Sequence, residues 1–181
     1  MHKQSGITLV EVLVTMVILA IGLLGLVGLQ ARVQVLQIES YQRAQAVMLL
    51  EDLAGRIANN RNNADGYVTG TPLGEGTCPA TSTTDRRVAD QAEWCQAVQG
   101  AAELQGTTKV GAMVGGRGCV EDLGNGAYLV TVAWQGLAPI APPPDSVTCG
   151  AGDFDGGADS NCTEDQCRRV VTTVVQIATL T

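Results

Sequence analysis

"GITLVEVLVTMVILAIGLLGLVGL", from Gly6 to Leu29, decides how the rest of the chain is read. Its last 23 residues, Ile7 to Leu29, carry one charge, Glu11. A helix rising about 1.5 Å per residue covers a hydrocarbon core of about 30 Å with such a run. A carboxylate inside it costs about 2.5–3.5 kcal/mol if it sits at the helix centre. A cleaved secretory signal does not explain the stretch: the run is too long, and Leu29 stands where a cut after Ala31 needs a small residue. A plain signal anchor explains the span, with Lys3 on the cytoplasmic side and the cysteines outside, but gives Glu11 no reason to be there.

The 181 residues suffice for one modest domain beyond the span, and with 45% hydrophobic but only 3% aromatic residues its core is expected to be aliphatic. A formal charge of −7 repels phosphate backbones, so no nucleic-acid partner is expected. The doublets Arg86-Arg87 and Arg168-Arg169 read as solvated faces. All six cysteines, Cys78, Cys95, Cys119, Cys149, Cys162 and Cys167, follow position 77. An even count with irregular gaps and no nearby histidine reads as a disulfide framework in an oxidising compartment. Cys78 with Cys95 would tie a loop to a helix; the order of the other four stays open.

The helix is expected to run on, without proline, from Gln30 to about Asn60, with Glu39 and Arg43 as an i,i+4 pair. Arg32, Glu39 and Arg43 share a stripe that Ala46, Leu50, Leu53 and Ile57 take over further on, with Glu51, Asp52 and Arg56 turned away. Packing under a head should therefore begin near residue 46. "NNRNNADG" (Asn59–Gly66) ends the helix. A second helix, capped by Thr84 and running from Asp85 to about Leu104, would bury Val88, Ala92, Cys95, Val98 and Ala102, with Trp94 sealing the edge. "RGCVE" (Arg117–Glu121), a turn at "DLGNG" and "AYLVTVAWQ" (Ala127–Gln135) read as a hairpin, with Tyr128, Val130, Val132 and Trp134 on one face. "LAPIAPPP" is a loop, and "RRVVTTVVQIATL" from Arg168 is a last antiparallel strand. The fold class is α+β: a long N-terminal helix on a small antiparallel sheet, with a disulfide-stapled head.

Gly6-Ile7-Thr8-Leu9-Val10-Glu11, behind a short basic leader and ahead of the span, resembles the processing signature of type IV prepilins and pseudopilins. The resemblance implies a leader of residues 1–6, cut between Gly6 and Ile7 by the prepilin peptidase, and N-methylation of Ile7. Ile7 stands where the family usually has phenylalanine. The resemblance also implies that Glu11 docks onto the free amine of a neighbouring subunit, which gives the carboxylate its partner. Residues 7–29 would then be the transmembrane half of the helix, 30–62 its amphipathic continuation and 63–181 a periplasmic head. Gly22, Gly25 and Gly28 read as close-packing positions or as a stretch that melts on assembly.

Within that family "EVLVTMVILAIGLLGLVGLQAR", the Gly115–Gly118 turn, "YLVTVAWQG" and "CRRVVTTVVQI" are similar to the minor pilins of the type IV pilus modification (PilV) kind. This implies a low-abundance subunit that helps start a pilus and sits near its tip. The implied partners are other minor pilins, the major pilin, an inner-membrane assembly platform and, before assembly, membrane lipid. A minor pseudopilin of a type II secretion system shares the leader and helix, and a permanently anchored periplasmic adhesin is the reading of a different class. An enzyme is not expected: the one histidine, His2, lies in the leader, and no phosphate-cradling GxxxxGK is present. No cofactor is expected, and no metal. The nearest approach to a metal site is Asp153, Asp155, Asp159 and Asn161, oxygen ligands of the kind calcium takes, in a spacing that is not an EF-hand.

Overall fold

The structure, a computed structural model, describes residues 8–100, 104–106, 108–109, 113–157 and 159–178, with the backbone alone at 104, 105, 108 and 109. The elements are α1 (Leu9–Asn59), a 3-10 helix (Arg61–Tyr67), α2 (Arg86–Val98), β1 (Leu104–Gln105), β2 (Thr108–Lys109), β3 (Arg117–Gly124), β4 (Ala127–Gln135) and β5 (Arg168–Gln176). The chain divides into two compact units, Met1–Ile38 and Glu39–Thr181. The α+β reading holds, with the apolar N-terminal helix, the antiparallel sheet and the disulfides in place.

In the second unit, β3, β4 and β5 form an antiparallel sheet with β4 in the middle. Asn125-Gly126 makes the tight connection between β3 and β4, and β3 runs three residues further than expected, to Gly124, through a register shift after Asp122. The alternation in β4 is as read: Tyr128, Val130, Val132 and Trp134 all join the core with Leu50, Leu53 and Ile57 of α1. What the alternation does not reveal is that Thr131 and Ala133, on the opposite face, are buried too. Phe154 and the Cys119–Cys149 disulfide cover that face beside Ala133, so the centre of the sheet has protein on both sides.

Packing of α1 starts four residues earlier than expected, at Gln42, and then follows Ala46, Leu50, Leu53 and Ile57. Glu39 does not spend its charge on Arg43. Its Oε1 accepts from the Arg169 guanidinium at 3.3 Å and from the Leu137 N–H at 3.1 Å. Arg168, only 3% exposed, donates to the carbonyls of Val147 and Cys149 and pairs with Asp165. The Arg168-Arg169 doublet is thus interior scaffolding and not a solvated face. In the other doublet, Arg86 pairs with Asp90 and Arg87 with Asp85.

Helix α2 is shorter than its pattern suggested. Asp85, not Thr84, is the cap: its carboxylate accepts the N–H groups of Arg87 and Val88. Burial works the other way, but the bonds from Val88 and Arg87 hold the Asp85 carboxyl below its ordinary value. The helix stops at Val98, with Gly100 at a φ of 78°, and Leu104 belongs to β1. Ala92, Cys95 and Val98 are buried and Val88 only half-buried, while Ala102 lies outside the described residues. Trp94 does not seal an edge; it is 0% exposed, at the centre, with its indole N–H on the Leu49 carbonyl of α1 at 2.8 Å. Its ring lies against Gly118 of β3, where an added Cβ would overlap the ring's outer Cη2–Cζ3 edge.

Arg56, expected to face away, instead fastens α1 to α2. It bonds Asp52, Glu93 and Asp90, the last a carboxylate 2% exposed. Burial opposes the Arg56 charge, but Glu93, Asp52 and Asp90 together raise its pKa above the ordinary value. Asp90 also accepts the Tyr67 hydroxyl at 2.6 Å, and Tyr67 in turn accepts from Asn60. Burial, and then the bond to Asp90, push the Tyr67 hydroxyl up to about 12 from 10.0.

Three disulfides complete the unit: Cys78–Cys95 ties the turn-rich segment to α2, and the pairings left open resolve as Cys119–Cys149 and Cys162–Cys167. Each adds about 2–4 kcal/mol in the chain-entropy view.

The packing generates three predictions. Gly118→Ala overpacks the Trp94 site and should lose about 1–3 kcal/mol in denaturant unfolding of the full chain; unchanged stability would show that Trp94 does not need the glycine. Asp90→Ala removes one of three carboxylates from Arg56 and leaves the buried Tyr67 hydroxyl without its acceptor, and should cost about 1–3 kcal/mol in the same unfolding measurement. Tyr67 has its pKa raised on folding, so its contribution is complete below about pH 10 and disappears as pH rises toward 12. The stability difference between wild type and Tyr67→Phe should shrink across that window, and a constant difference would contradict the assignment.

Candidate assembly site

The first unit contributes one element, the N-terminal part of α1. Thr8 starts it: the Thr8 hydroxyl accepts the Glu11 N–H at 3.3 Å, one half of a capping box whose Thr-x-x-Glu spacing the sequence reading did not use. Glu11 therefore sits in the first turn, where the helix dipole favours a negative charge by about 0.3–1 kcal/mol. That is less than the roughly 2.5–3.5 kcal/mol cost of a charge at the centre of a membrane helix, so the dipole alone does not explain the residue.

From Leu9 to Leu29 every side chain is exposed, including Leu13, Ile18, Leu24 and Leu26. α1 is long and apolar enough to cross a membrane by length and composition, and no part of its most apolar stretch is buried. A Cβ added at Gly22, Gly25 or Gly28 would meet nothing within the chain, while the helix continues through all three. These glycines therefore leave a shallow strip open to a neighbour. Glu11 is the single ionisable side chain between Thr8 and Ala31. Lys3, Gly6 and Ile7, the residues of the expected cut and methylation, lie outside the described residues.

In the oxygen-rich loop two of the four expected oxygen ligands are engaged by partners within the protein. Asp153 lies 3.4 Å from the Arg117 guanidinium, and Asp155 accepts the Asp165 N–H at 2.8 Å. Asp159 and Asn161 are exposed. Among the described residues no group of three or more histidine, cysteine, aspartate or glutamate side chains could hold a metal ion. The carboxylates of this loop act as internal braces: Asp165 also accepts the Gly152 N–H and pairs with Arg168. Sequence spacing could not tell bracing from ligation, because the arginines involved are 36 residues before Asp153 and three after Asp165.

Residues 1–27 match the family model described as the prokaryotic N-terminal methylation motif. The matched segment includes Lys3, Gly6, Ile7 and Glu11 and runs well into the apolar part of α1. No curated protein and no solved structure matches the chain. Proteins with this motif are structural and not enzymatic, and they generally interact with other pilins and with the prepilin peptidase. The chain thus carries a type IV pilin-like leader ahead of an exposed apolar helix, which supports a protein of the type IV pilin or pseudopilin type.

Proposed function

We propose that this chain is a minor type IV pilin of the PilV kind that takes part in starting pilus assembly and enters the fibre at or near its tip. The observation that carries the reading is the methylation motif, with Glu11 as the one charge on an otherwise uncharged, fully exposed stretch of helix. The prepilin peptidase cuts between Gly6 and Ile7 and the new amine of Ile7 is methylated. Residues 7–29 anchor the subunit in the inner membrane, 30–62 continue the helix, and 63–181 stand in the periplasm as the head.

On assembly Glu11 docks on the amine of a neighbouring subunit. A charge pair replaces a lone carboxylate in apolar surroundings, and the exposed leucines and valines exchange lipid for neighbouring helices. The partners are other minor pilins, the major pilin and the assembly platform. The protein works by binding and is not an enzyme. The disulfides suit an oxidising periplasm. A minor pseudopilin of a type II secretion system is the second reading, because the same motif serves both assemblies.

Intact mass of the chain recovered from its native membrane should show loss of residues 1–6 and one added methyl on Ile7. An uncut chain would refute processing and leave a permanently anchored protein. Glu11→Val should insert in the membrane as well as wild type or better, yet recover at least tenfold less of the partner pilins on co-purification. Equal recovery, with normal piliation, would remove Glu11 from the docking role.

A further inference from the structure

The three disulfides are not equally protected. Cys119 and Cys149 are both buried, so a thiol in solution does not reach their sulfurs. Cys78 and Cys162 are each half-buried, with their partners Cys95 and Cys167 in the interior. Ring size and backbone geometry separate these two bonds. Cys78–Cys95 joins residues 17 apart and Cys162–Cys167 residues five apart, and a shorter ring constrains the unfolded chain less.

The short ring also encloses two residues that resist its backbone path. Among the described residues three that are not glycine have a positive φ: Asn125 in the hairpin turn, and Glu164 and Asp165, at 52° and 59°, side by side within this ring. L side chains avoid the left-handed region, and aspartate tolerates it only where its short carboxylate finds local partners. Asp165 has them in Gly152 and Arg168. The exposed Glu164 side chain has none among the described residues.

The closed ring holds a neighbouring limb of chain. The Cys162 carbonyl accepts the Gly156 N–H at 2.8 Å, the Asp165 carboxylate accepts the Gly152 N–H at 2.8 Å, and the Asp165 N–H donates to the Asp155 carboxylate at 2.8 Å. The sheet does not depend on these bonds: Arg168 is pinned by the Val147 and Cys149 carbonyls, and Phe154 packs with Ala133 and Cys119.

From this arrangement we infer that Cys162–Cys167 is a redox latch, opened by a dithiol ahead of the other two disulfides, and that opening releases Gly152, Asp155 and Gly156 from the ring while the sheet stays folded. A thiolate of the dithiol attacks Sγ of Cys162, the accessible partner, and the Cys167 sulfur leaves with the electron pair and takes up a proton. The second thiolate closes the reductant's own disulfide and frees Cys162 as a thiol, so the protein gains two electrons and two protons and the dithiol loses them. Glu164 and Asp165 then relax out of the left-handed region, which breaks the bonds to the limb and opposes reclosure.

The test equilibrates the full chain, purified in detergent, at graded ratios of reduced to oxidised dithiothreitol, traps thiols with N-ethylmaleimide and locates them by peptide mass. Cys162 and Cys167 should reach half-labelling at a ratio about tenfold or more below that of either other pair. Amide hydrogen exchange at Gly152, Gly156 and Asp165 should then quicken about tenfold or more, while Val130 and Val132 of β4 keep their protection. Glu164→Gly, which adopts the same φ without strain and removes no bond, should raise the ratio needed for this pair by about threefold. Another pair opening first, all three opening together, or unchanged exchange once this pair is open would overturn the latch, as would an unchanged ratio in Glu164→Gly. No readout involves the leader or Glu11, so failure here leaves the assembly reading standing.

Discussion

One helix has to meet two environments, and most of the structure follows from how α1 does so. Up to Ile38 its apolar side chains point in all directions, a pattern stable only where every side meets lipid or other helices. From Gln42 the apolar residues narrow to a single face, Ala46, Leu50, Leu53 and Ile57, because from there one side meets protein and the other water. The change occurs without a break in the helix, since no proline precedes Pro72. The sheet is then built to suit that one face, with Val130 and Val132 of β4 beneath it.

With one phenylalanine, two tryptophans and three tyrosines in the whole chain, large side chains cannot fill the head. Packing is instead shared between short aliphatic residues and polar groups with fixed partners. Trp94 occupies the centre because Gly118 leaves room for its ring and a helix carbonyl accepts its N–H. Asp90, Arg168 and Arg169 are buried or nearly so, each held by several bonds, so their desolvation is met by specific geometry. The disulfides act where the core is thinnest: Cys119–Cys149 lies on the face of the sheet that α1 does not cover.

How legible this was depended on the range of each interaction. Strand β4 was read to the residue, because alternation is local and the turn residues Asn125-Gly126 announce the hairpin. The span and its motif were legible for the same reason. Trp94, Arg56 and the Arg168-Arg169 doublet were misread because their partners, Leu49, Asp90, Cys149 and Glu39, lie between 19 and 130 residues away. No periodicity encodes that a charge on one element meets a charge on another. Helix α2 was overextended because its apolar spacing continues past Val98, although the backbone turns at Gly100. At the candidate site, Glu11 stands out by composition alone, whereas the Thr-x-x-Glu spacing marks Thr8 as a cap only once the helix is known to start there.

In the reading proposed above, the magnitudes at Glu11 explain why a carboxylate suits a subunit that leaves a membrane. A span with no charge at all would be most stable where it was inserted, and extraction would cost the whole transfer energy of its apolar surface. Glu11 raises the free energy of the inserted state by about 2.5–3.5 kcal/mol at most, and the helix dipole returns about 0.3–1 kcal/mol of that. The remaining penalty is small beside the apolar transfer energy, so the chain still inserts. It favours any apolar environment that supplies a cation over one that does not, by about 200-fold at most. In the reading proposed above, that environment is a bundle of like helices with a free amine at the correct depth. The leucines and valines then set how strongly the helix avoids water, and the single carboxylate sets which of two apolar surroundings it prefers.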